Sequence, residues 1–126
     1  MFVSVLARIV VGLLLMTHGL AHYNLPTLWG SEPNHTSWLA GALGQSSMRL
    51  VGLVLWIITL LVFMTAGIVT FTNQPAWRTI SVIGSALSLL IMFLFWDSKM
   101  IYGVAINIAV LVALIFLKWP MTNLIR

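Results

Sequence analysis

This 126-residue chain is 61 % hydrophobic and only 6 % charged, with a mean hydropathy of +1.09; soluble domains carry about 25 % charged residues, so the composition argues against a water-solvated globule. The net charge of +4 comes from six basic and two acidic residues, and the basic ones stand singly along the chain, so nothing tracks a phosphate backbone and no nucleic-acid partner is expected. The absence of cysteine removes disulfides, iron–sulfur ligation and thiol redox chemistry.

Four apolar runs fill most of the length, at roughly 3–22, 48–71, 78–96 and 101–119. A run of about 18 or more apolar residues can cross a bilayer as a helix, and in lipid every backbone amide must be paired within its segment. Period-2 alternation, the mark of a barrel strand, is missing. The expected fold is all-α: a polytopic four-transmembrane-helix up-down bundle occupying 1–126 as one domain. The first run has Arg8 inside its apolar stretch and no A-x-A site after it, so it reads as a retained helix rather than a signal peptide.

Between the first two runs lies the one substantial loop, 23–47, with Pro26, Gly30 and Pro33. Within it, Thr36 or Ser37 is placed to cap a short helix bearing Trp38, Leu39, Ala42 and Leu43. The second connection contains Asn73-Gln74-Pro75, a helix stop and restart, and the third is Asp97-Ser98-Lys99-Met100, short enough to make the last two helices an antiparallel hairpin. A cytoplasmic N-terminus puts Arg8, Arg78, Lys118 and Arg126 on one side and Arg49 and Lys99 on the other, with Glu32 and Asp97. That balance predicts both termini cytoplasmic and the long loop extracytoplasmic. Trp77 and Trp119 then fall at the inner boundary, and Trp29, Trp38 and Trp96 at the outer one.

The third run carries Ser81, Gly84, Ser85 and Ser88 at i, i+3, i+4 and i+7, a small-residue face for helix packing. The more informative polar residues gather at one membrane level. His18 and His22 share a face near the end of helix one, Arg49 opens helix two, and Asp97 closes helix three. Lys99 follows, with Tyr102 and Asn107 in the first turns of helix four. Three readings compete for this cluster. One is structural: Asp97 pairs with Arg49 or Lys99, and the histidines bond loop carbonyls or Asn107. Another is a site for a lipid head group, a quinone or another amphiphile. The third is ligation of a metal, haem or chlorophyll-type pigment by His18 or His22, for which only His35 or Glu32 offers a further ligand. No metal site is expected on balance. No nucleophile–base–acid set, paired carboxylates or phosphate loop is present, so no enzyme motif stands out. The sequon Asn34-His35-Thr36 carries little weight.

The run His18-Gly19-Leu20-Ala21-His22, with Trp96-Asp97-Ser98-Lys99 and then Gly103 and Asn107, resembles a widespread group of small bacterial four-helix membrane proteins with an H-G-x-x-H element and a later W-x-D-x-K-x-G…N element. That group is similar, more loosely, to the DoxX family. The resemblance implies a multi-pass protein of the bacterial inner membrane. Some DoxX members belong to redox assemblies that use quinones or handle sulfur compounds. Taken together, these features predict a small accessory subunit packing within a larger membrane complex or against its own copies among membrane lipids, with a lipid or quinone held near its outer face. The alternative is a DoxX-like redox component binding quinone or another amphiphile at the His/Arg/Asp cluster, and a further one is single-histidine ligation of haem or pigment.

Overall fold

The computed structural model describes residues 5–22, 37–96 and 100–116. The described chain is all-helical. α1 spans Val5–Ala21, α2 is the short Ala40–Leu43, α3 spans Gln45–Phe71, α4 spans Trp77–Leu94 and α5 spans Ile101–Leu111. α5 runs on as a π-helical turn, Val112–Phe116. Two of these, α3 with 27 residues and α4 with 18, are long and apolar enough to cross a membrane; α1 and the α5 segment are shorter apolar helices.

The boundaries follow local chemistry. α3 begins three residues before its apolar run because Gly44, at φ +86°, sets the break and Gln45, Ser46 and Ser47 form an exposed polar first turn. It ends where Asn73, at φ 58°, takes the left-handed conformation that asparagine tolerates. The Gln74 amide then bonds the Val69 carbonyl and the Asn73 amide that of Thr70. These paired bonds are those of a Schellman stop, followed at once by Pro75. Ser37 does not cap α2 through its side chain; its hydroxyl donates to the Leu94 carbonyl and accepts from the Leu39 amide at 3.3 Å. Trp38 Nε1 donates to the Phe93 carbonyl at 2.7 Å, so the segment before α2 satisfies the free carbonyls that end α4. Thr36 lies outside the described residues.

Packing is antiparallel from neighbour to neighbour. Gly12, Gly67 and Gly19 on α1 and α3 lie against Phe71, Met16 and Phe63 respectively. At Gly67 the approach is so close that a Cβ would come within 2.9 Å of the Gly12 carbonyl. On α4 and α5, Met92 meets Gly103 and, one turn on, Ser88 meets Asn107. Arg8, one turn into α1, donates to the Phe71 carbonyl at 3.2 Å and so neutralises the exposed dipole end of α3. The starts of α1 and α4 therefore share one end of the bundle with the finish of α3. The ends of α1 and α4 lie at the other, beside Ser37 and Trp38.

Two apolar clusters form the core. Leu15, Phe63, Ala66, Trp77 and Leu114 make one; Met48, Ile91, Met92, Phe95 and Met100 make the other, under α2. Between them runs a polar layer.

Candidate functional site

His18 and His22 lie four residues apart on α1 and so point to the same side, toward α4 and α5. Ser88 is buried on α4, and Asn107 is buried on α5 one turn beyond Gly103. His18 Nε2 lies 2.9 Å from Asn107 Oδ1; Asn107 Nδ2 donates to Ser88 Oγ at 2.8 Å and to the Gly103 carbonyl at 2.9 Å. Ser88 Oγ in turn lies 2.7 Å from His22 Nε2. One amide thus ties three helices together, with both of its N–H groups and its oxygen engaged. The His18 ring stands edge-on to His22 at 5.6 Å between centroids and to Phe63 at 5.0 Å. That packing holds the imidazole between the polar layer and the apolar cluster below it.

The network also bridges a gap. α1 and α5 stand apart below the His18–Asn107 bond, leaving a lateral cavity of about 520 Å³ lined by Val11, Leu15, His18, Phe63, Ile106 and Val110 among others. Thr17 and His18 are the polar residues on that wall. A second cavity of about 320 Å³ shares Val11, Leu15, Ile106 and Val110 and continues toward Trp77 and Leu114. Together they make an apolar groove open along one side, with a histidine at its head. The first volume alone falls within the range of about 300–1,000 Å³ usual for small-molecule sites.

Of the residues singled out in the sequence, His18, His22 and Asn107 meet in one network. Tyr102 is 78 % exposed; it precedes Asn107 by five residues, about 140° round the helix, and so faces away. Arg49 is likewise exposed, at the start of α3. Asp97 and Lys99 lie outside the described residues, as do Glu32 and His35. Ser81, Gly84, Ser85 and Ser88 are all buried, and Gly84 receives the edge of the Phe63 ring. Ser88 is also the bridge of the polar network, a role that its place on a small-residue face does not announce. The signal for it was its level: it sits in the antiparallel register that brings α4 beside Asn107. Thr17 and the groove-lining aliphatics carry no sequence signal, because an apolar residue beside a gap looks like any other.

Among the described residues no three His, Cys, Asp or Glu side chains come together to hold a metal ion. The Nε2 atoms of both histidines are already committed to Asn107 and Ser88. Comparison with protein-family models, curated proteins and solved structures returns no match.

Proposed function

We propose that this chain is a multi-pass membrane protein that holds an amphiphile in the groove between α1 and α5, with the polar head beside His18 and the tail along Val11, Leu15, Ile106 and Val110. The observation that carries this reading is the groove itself: an apolar trough with one polar end, whose head is braced by a buried hydrogen-bond network. All four main helices would span the bilayer, in the up-down order expected from the sequence, and α1 with 17 residues is about 26 Å long, close to the hydrocarbon thickness. Exposed Leu6, Leu61, Phe93 and Phe116 would then face acyl chains. A lipid or the quinol form of a quinone suits a trough of this shape, and a quinol would be the natural ligand of a DoxX-like redox component.

The test is purification from native membranes with mass-spectrometric identification of whatever lipophile remains bound. Val110 lines both cavities, so Val110→Phe fills the groove and lowers occupancy several-fold while leaving the helical fold intact. Undiminished occupancy in that variant removes the reading. The same preparation examined for colour decides on haem or pigment.

An accessory subunit packing against other membrane proteins remains a second reading, favoured by an exterior with exposed apolar side chains on each main helix. The small-residue face of α4 does not serve it, since those residues are buried within the protomer. Size analysis in mild detergent tests it: a monomer without co-purifying protein counts against it.

A further inference from the structure

The bonds that hold α1 to α5 also decide what His18 can offer a ligand. The Gly103 carbonyl, 2.9 Å from the Asn107 side chain, can only accept, so it fixes which end of that amide is nitrogen. The second amide N–H goes to Ser88 Oγ at 2.8 Å. Asn107 Oδ1 therefore faces His18 Nε2, and the ring nitrogen must be the donor of that 2.9 Å bond. With the Nε2 proton given to Asn107, what His18 offers a ligand rests with its other ring nitrogen. A neutral ring protonated on Nε2 keeps a lone pair on Nδ1 and has no further N–H to give.

Resting on the reading of the groove as an amphiphile site, we infer that it selects ligands whose head donates a hydrogen bond, such as a phenol or an alcohol on a single apolar chain, over the same chain ending in an ether or a carbonyl. Asn107 is then a positioning residue: it never touches the ligand but holds His18 in the accepting tautomer. The tail length follows from the trough, which runs along α5 from Ile106 to Leu114, a rise of about 12 Å. The Ser88 and His22 branch keeps the amide from turning over, since a flipped Asn107 would set its oxygen against the Gly103 carbonyl.

Two probes of nearly equal size separate the possibilities: 4-dodecylphenol and its methyl ether, titrated into the purified protein in dodecylmaltoside and read by native mass spectrometry. The phenol binds roughly tenfold more tightly, the effect of one hydrogen bond in an apolar site. His18→Phe keeps the ring against Phe63 and binds both probes equally. Nitrogen-15 NMR of histidine-labelled native protein shows His18 protonated on Nε2, with its Nδ1 resonance moved by the phenol and not by the ether, a readout that does not depend on any variant folding. Equal binding of the two probes by the native protein, or a His18 protonated on Nδ1, overturns the inference while leaving the groove a ligand site. Binding of neither probe overturns both.

Discussion

At the scale of single residues, the buried hydroxyls on α4 divide into two kinds. Ser88 accepts from Asn107 and faces His22 Nε2, whereas Ser81 Oγ and Ser85 Oγ are buried with no hydrogen-bond partner among the described residues. Leaving a buried polar group unpaired costs about 1–3 kcal/mol, while trimming one that is already unpaired costs almost nothing. Ser88→Ala therefore lowers stability by about 1–3 kcal/mol, because it strands an Asn107 N–H and the His22 nitrogen together. Ser81→Ala is neutral or mildly stabilising. Thermal unfolding of both variants in the same detergent checks the contrast, and equal losses would show that the network contributes nothing beyond packing. The chemistry of this layer was partly visible in the sequence. A histidine pair at i and i+4 and an asparagine inside an apolar helix are conspicuous, since a buried amide needs a partner. The exposed position of Arg49 was not visible, because charge gives the residue type and not the side of the helix it occupies. Only helical phase relative to Asn107 separates Tyr102 from the network.

At the scale of elements, the helices hold together by close approach rather than by large apolar ridges. Gly67 admits the Met16 side chain and the Gly12 carbonyl on the facing helix, so a Cβ there meets backbone that cannot move aside. Gly67→Ala destabilises by about 1–3 kcal/mol, the usual result of overpacking. Gly41 on α2 has nothing within 4 Å of its absent Cβ, and Gly41→Ala should stabilise α2 by up to about 1 kcal/mol through the helix preference for alanine. Melting temperatures of the two variants should move in opposite directions. The existence and order of the main helices could be read from apolar run length, and the stop at Asn73-Gln74-Pro75 from turn chemistry. The first turn of α3 could not, because its polar residues interrupt the hydropathy signal without interrupting the backbone hydrogen bonds. Nor could the π-helical turn at Val112–Phe116, where an aliphatic run with no glycine or proline gives no hint of a change in winding.

At the scale of the whole molecule, the contacts already sort the helix ends into two groups before any membrane is considered. Arg8 bonded to the Phe71 carbonyl gathers the start of α1 and the finish of α3. Ser37 and Trp38 on the last carbonyls of α4, with Ser88 bonded to His22 one turn or so away, gather the opposite ends. If the bundle spans a bilayer, the turn at Gln74 and the short helix at Gly41 must therefore emerge on opposite sides, and the charge balance assigns Gln74 to the cytoplasm. The chain has no cysteine, so one introduced thiol reports one position without background. Both Gly41 and Gln74 are exposed, and neither takes part in the polar network. In intact spheroplasts a membrane-impermeant maleimide should label Gly41→Cys and leave Gln74→Cys untouched until the membrane is opened. The reverse pattern would invert the orientation and put the His18 head of the groove toward the cytoplasm. Labelling of both in sealed cells would mean that α3 does not cross, and with it would go the hydrocarbon surroundings on which the groove depends.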